Sequence, residues 1–109
     1  MATTYKVLGQ LAPSAAALST LYTVPAATSV VCSSLTVCNQ SAVATTFRIA
    51  VRPAGAGIAA AHYLAYDTAL GGNDMLSLTL GITLAATDVV SGYATLATVS
   101  FSLFGSEIT

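Results

Sequence analysis

The chain has 109 residues, of which 55% are hydrophobic and 6% charged, and its mean hydropathy is +0.79. A folded monomer of this mass exposes roughly 5,600 Å², and three basic and four acidic side chains are all the charge available to cover it. That excludes a basic track for nucleic acid, which needs many phosphate contacts, and it excludes disorder, which needs low hydrophobicity and high net charge.

The first ten residues, MATTYKVLGQ, carry one Lys and no apolar core of signal-peptide length. Residues 1–18 read as an N-terminal arm, with Tyr5 and Lys6 as candidate contacts to a partner, ahead of a domain over residues 19–109. Residues 7–47 hold no formal charge, but Pro13, Pro25, Asn39 and Gln40 interrupt them. No run reaches the 18 to 20 apolar residues of a membrane helix, so no membrane partner is expected.

From there the pattern has period two, the mark of half-buried strands. LYTV (21–24) ends at Pro25. In SVVCSSLTVCN (29–39), Val31, Leu35 and Val37 fall on one face, with Ser33 as a polar interruption. Cys32 and Cys38 share that strand about 20 Å apart, too far for a disulfide, so two free thiols are expected. Thr45, Phe47, Ile49 and Val51 alternate with Thr46, Arg48, Ala50 and Arg52. Leu76, Leu78, Leu80, Ile82 and Leu84 alternate with Ser77, Thr79, Gly81 and Thr83, and Val99, Phe101 and Leu103 with Thr98, Ser100 and Ser102. Turn-type clusters separate these runs at 53–57, 71–74 and 85–88. Two stretches rich in helix formers, 13–18 and 58–61, are too short to stand as helices and read as loops. The rhythm of about seven or eight short strands predicts an all-β, single-domain antiparallel β-sandwich of jelly-roll type.

Chemistry finds little footing. His62 is the only imidazole, and no serine sits in a G-x-S-x-G elbow. Asp67, Asp74 and Asp88 each adjoin a turn, where a carboxylate accepts from backbone N–H groups. A calcium loop from Asp67, Asn73 and Asp74 lacks the ligand density of such sites. Metal at the cysteines could recruit only His62. The glycines at 54–57 lack the Lys and Ser/Thr of a phosphate loop. Catalytic, cofactor-binding and metal residues are therefore all expected to be none.

Candidate partner contacts remain. Arg48 and Arg52 project from one strand face about 13 Å apart, either as anchors to a partner's carboxylates or as members of intrachain salt bridges. Tyr5, Tyr22, Tyr63, Tyr66 and Tyr93 fit either a sugar-binding surface or ordinary half-buried strand positions, and a glycan- or receptor-binding module would expose Tyr63 and Tyr66 on one face. With so few charges to keep copies apart, self-association is expected.

LYTVP (21–25), TVCN (36–39), TTFRIAVRPAGA (45–56), HYLAYD (62–67), LTLGITLAATDVV (78–90) and ATVSFSLFGSEIT (97–109) follow one another in that order. This succession resembles small virion-associated proteins and tail-appendage domains of tailed bacteriophages, over residues 21–109. Its motifs are structural. The chain departs from the pattern at Ala26-Ala27, where a glycine is expected, and in the Ala-rich 58–61 stretch. The resemblance implies a structural virion protein with no enzyme activity and no cofactor. A free-standing chain of this size suits a capsid decoration (cement) protein, and a tail, baseplate or fibre subunit is the alternative. The implied partners are further copies of itself, most simply as a trimer, and the major capsid protein or tail proteins.

Overall fold

The computed structural model describes residues 2–79 and 81–109. Among the described residues nine strands follow one another: β1 (Thr3–Leu11), β2 (Ser19–Thr23), β3 (Ser29–Asn39), β4 (Thr45–Arg52), β5 (Tyr63–Leu70), β6 (Met75–Leu78), β7 (Ile82–Leu84), β8 (Val89–Ala94) and β9 (Val99–Ile108). Sheet I has the order β1-β9-β3, with both β6 and β7 along the far edge of β3; sheet II has the order β2-β8-β4-β5. Every pairing is antiparallel. β6 pairs with residues 35–38 of β3 and β7 with residues 30–32, so the two fill one strand position. The chain is thus an antiparallel ribbon folded double and rolled over two sheets, the jelly-roll form of the β-sandwich. The expected continuous strand over 76–84 is broken at Gly81, which takes φ +59; Leu80 lies outside the described residues.

The core forms where the alternation predicts. Phe47, Ile49, Val99, Phe101 and Leu103 are buried, and Phe47 meets Phe101 edge to face at 6.3 Å. Gly92 of β8 faces this pair. A Cβ there would stand 3.2 Å from the Phe101 ring, so the ring needs bare backbone opposite it. Asn39 is the buried polar residue that closes one end. Its Nδ2 donates to the carbonyls of Val43 and Gly71, and its Oδ1 accepts from Ser41 N–H and the Thr98 hydroxyl.

Two bulges account for where the pattern misleads. The register of β3 against β9 shifts between Cys32 and Ser34, leaving Ser33 as the extra residue, its hydroxyl donating to the Phe104 carbonyl. An extra residue reverses the alternation beyond it. Val30 and Cys32 therefore point inward with Leu35 and Val37, and Val31, expected on the buried face, is 39% exposed. The second bulge lies in β1, between Val7 and Gly9. It interrupts the alternation there and leaves Leu8 buried. The described part of the 1–18 segment is accordingly no detached arm. Residues 3–11 pair with β9 of the same chain, and Ala2 and Thr109 exchange backbone hydrogen bonds at 2.8 Å. β1 also closes on β2 across the sandwich, where a Cβ on Gly9 would meet the Leu21 carbonyl oxygen at 2.3 Å.

Residues 13–18 are a loop with a turn at Ala15-Ala16, and 58–61 run into a single 3-10 turn, Ala60–His62. At the Ala26-Ala27 corner the backbone takes the left-handed form that glycine favours, with Ala27 at φ 55. Both cysteines are free, Cys32 buried and Cys38 half-buried.

Candidate functional site

The six candidate contact residues are divided between the two sheets. Arg48, Arg52, Tyr63 and Tyr66 belong to sheet II, Tyr5 and Lys6 to sheet I.

On sheet II a third bulge builds the main feature. Phe47 pairs with Thr68 and Ile49 with Ala65, so Arg48 alone faces both Tyr66 and Asp67. Asp67 takes φ 49, a left-handed value that Asp tolerates better than most residues. Two neighbouring side chains thereby reach the same outer side around one arginine. Asp67 receives the guanidinium through two bonds, Nε to Oδ1 at 2.7 Å and Nη2 to Oδ2 at 3.3 Å. The Tyr66 ring lies 4.1 Å from the Arg48 guanidinium carbon, and the ring of Tyr93, the β8 residue paired with Arg48, lies 4.3 Å from it. Hydrogen bonding to Asp67 holds the guanidinium even further above neutral pH than usual. Tyr66 in turn meets Tyr63 edge to face, centroids 4.9 Å apart. Beside these rings, Ile58, Ala59 and Ala60 complete a surface hollow of about 610 Å³.

Arg52 anchors the loop that supplies this wall. Its Nη1 donates to the carbonyls of Gly55 and Ala56, and its Nε to the Ser91 hydroxyl. His62 caps the same loop, its Nδ1 accepting the Ala59 N–H at 3.1 Å.

On sheet I the outer face is apolar at one end and polar at the other. Tyr5, Ser106 and Val31 share one rung, and Val7, Phe104 and Ser34 share the next. Tyr5 is 85% exposed, and with Val31 and Phe104 it borders a shallow hollow of about 400 Å³. Toward the other end Gln10, Ser102 and Thr36 share a rung, with Gln10 Nε2 donating to the Ser102 hydroxyl. Lys6 is paired with Glu107 at 3.2 Å. Glu107 also accepts the Tyr22 hydroxyl, tying β9 of sheet I to β2 of sheet II. The Tyr22 bond, together with Lys6, holds the Glu107 carboxyl below its usual range despite some burial, and burial with Glu107 pushes the Tyr22 phenol up.

The remaining acids serve the backbone, as their turn positions predict. Asp88 accepts from Ala54 and Ala85 N–H, and Asp74 from Met75 N–H. Each of the seven charged side chains therefore has a partner inside the chain. Of the two roles open to Arg48, the intrachain salt bridge is the one observed, and Arg52 is occupied as a loop anchor. Among the described residues no three His, Cys, Asp or Glu side chains cluster as metal ligands, and no helix is long and apolar enough to cross a membrane.

Ile58 and Phe104 complete these faces without any signal in the sequence pattern, and Tyr93, marked only by its residue type, joins them because strand register brings it beside Arg48. No family model, curated protein or solved structure matches the chain.

Proposed function

We propose that this chain is a non-enzymatic structural protein of a tailed-bacteriophage virion, and that it decorates and cements the assembled capsid. The observation that carries this reading is the use of charge. A surface of 5319 Å² holds seven charged side chains, each satisfied within the chain, and it leaves Tyr5, Val7, Val31, Tyr66 and Met75 exposed. Such a surface resists association weakly and gains from being covered. The order of sequence motifs supports the virion assignment. Jelly rolls also build many viral capsid domains, although fold alone does not assign function.

Cementing in this reading is a binding effect. A protein that binds the assembled shell and not its free subunits stabilises the shell by mass action. A small symmetric oligomer, most simply a trimer, would seat on lattice points, with the apolar end of sheet I covered by a copy or by the major capsid protein. A tail, baseplate or fibre position accounts for the same motifs and is distinguished by stoichiometry. Quantitative mass spectrometry of purified virions is the test. Hundreds of copies in fixed ratio to the major shell protein are expected. A few to a few tens would move the chain to the tail, and its absence from clean particles would overturn the virion reading.

A further inference from the structure

Among the described residues the two sheets present four edges, and three of them are blunted. β2 is five residues long and its register slips between Thr20 and Tyr22. β5 slips twice against β4 and carries Asp67 at φ 49. The β6 and β7 edge is divided by Gly81 at φ +59. Short strands, bulges and charges of this kind keep an edge from pairing with other chains. β1 has none of these devices from Thr3 to Val7. Its register against β9 is unbroken there, proline is absent, and the one charge, Lys6, is bonded to Glu107. All five residues are exposed.

The backbone pattern shows what this edge offers. An antiparallel ladder alternates between residue pairs that exchange two backbone bonds and pairs that exchange none. Ala2 and Thr109 exchange both. Counting along the register, Thr4 with Glu107 and Lys6 with Gly105 do the same. Thr3, Tyr5 and Val7 therefore turn their N–H and C=O groups away from β9, and among the described residues no other strand pairs with β1. Beside this open row lies apolar surface. Tyr5 is 85% exposed and shares a rung with Val31, and the exposed Val7 shares one with Phe104. An added strand would satisfy the row and cover these side chains together.

The row is complementary to itself. A second copy of β1, run antiparallel with Tyr5 opposite Tyr5, sets Thr3 opposite Val7 and Thr4 opposite Lys6. Thr3, Tyr5 and Val7 of each copy then each donate one bond and accept one. Lys6 points to the other side of the strand from Tyr5 and faces an uncharged threonine, so no like charges stand directly opposed. The two Tyr5 rings become a cross-strand aromatic pair at the axis. Because the other edges are blunted, the contact closes on itself as a two-fold pair and has no edge through which to build a ring.

We propose that two copies of this chain join their sheets I edge to edge, through antiparallel pairing of Thr3–Val7 about a two-fold axis at Tyr5. The pairing favours two copies over the trimer named above. It does not rest on the virion reading, since it is tested on the isolated chain, and either can fail alone.

The test is sedimentation equilibrium of the full chain over a concentration series, with ¹⁵N amide spectra at the same concentrations. A monomer–dimer equilibrium is expected, with a dissociation constant on the order of 10–100 μM, as suits a small, transient interface. The amides of Thr3, Tyr5 and Val7 should shift with concentration more than those of Thr4 and Lys6, which β9 already holds. Tyr5→Pro removes an N–H that the intrachain ladder does not use, and should abolish the dimer while the rest of the spectrum stays folded. Should that variant disturb β1, charge at the axis gives a second route. Tyr5→Lys and Tyr5→Glu should each be monomeric alone, because the axis sets each new charge against its own copy. Mixed one to one, the two variants should pair again.

A chain that stays monomeric at about 1 mM, well above the dissociation constant expected, would overturn the proposal. So would a trimer as the first oligomer, or a dimer that survives Tyr5→Pro and both charge variants. Monomeric chain whose Thr3, Tyr5 and Val7 amides shift only when an extended peptide of unlike sequence is added would give the edge to a foreign strand, and would equally overturn it.

Discussion

Tyr5 and Tyr66 are both exposed tyrosines on outer sheet faces, yet the fold treats them differently. Tyr66 has a guanidinium against its ring and a second tyrosine at its edge. Tyr5 is 85% exposed on a face whose nearest charges, Lys6 and Glu107, are bonded to each other. With seven charged side chains in the whole chain, spending two of them to fix one ring is a large share. One face therefore carries a prepared surface. The other carries an apolar end that gains order only when something covers it.

The two faces rest on one core, and the largest expected effect strikes both. Phe101→Ala removes a fully buried ring packed on Phe47 and Gly92, and should cost about 3–5 kcal/mol. Urea unfolding measures it. A loss below about 1 kcal/mol would mean that the faces do not share this support. Next comes Asn39→Ala, at the polar end of sheet I. It deletes four hydrogen bonds and strands buried partners, for about 2–3 kcal/mol by the same measurement.

A smaller effect, of opposite sign, lies at the corner that carries the chain from sheet II to sheet I. Ala27 sits at φ 55, where an L-residue is strained by about 1–2 kcal/mol. Glycine relieves that strain but adds freedom to the unfolded chain. Ala27→Gly should therefore stabilise by about 0.5–1 kcal/mol net, read as a raised unfolding midpoint. No gain would show that the corner is not strained.

That corner also marks the limit of what was legible in the sequence. Phe47, Ile49, Phe101 and Leu103 declare their burial by alternation alone, because a strand's two faces follow from a period of two. The sandwich class follows from the spacing of such runs. Val31 is misplaced by the alternation, because Ser33 reads as a polar interruption and acts as a bulge that turns the preceding residues over. β1 was obscured in the same way by Leu8. At the candidate site, Arg48, Tyr63 and Tyr66 stood out by type. Their grouping with Tyr93 depends on register between β4, β5 and β8, which a single sequence does not encode locally. Asp67 reads as a turn acid and is a bulge acid.

The faces are also tied through Glu107, which joins Lys6 on sheet I to Tyr22 on sheet II. Its carboxyl is held below the ordinary value of 4.5. Its contribution to stability is thus complete above that ordinary value, and it is lost as pH falls through the lowered folded one. Wild type should weaken on acidification below about pH 4.5, and Glu107→Gln should show a flatter dependence there. Parallel pH profiles of the two proteins would remove the tie.

The smallest change in stability, and the most direct test of the contrast between the two tyrosines, is Arg48→Lys. Lysine keeps the charge but replaces the flat fork by a point donor on a flexible stem. It can still approach Asp67, so a surface ion pair of little energetic weight survives. It cannot stack between Tyr66 and Tyr93 while holding two carboxylate bonds. If Arg48 is a positioning residue, the Tyr66 ring should gain fast motion and its shifts should move toward those of Tyr5, while the rings of Phe47 and Phe101 stay unchanged. Ring ¹³C relaxation at both tyrosines reads this directly. An equally ordered Tyr66 in the Arg48→Lys protein would mean that Tyr63 and the β5 bulge hold the ring by themselves, and the arginine would then serve sheet pairing alone.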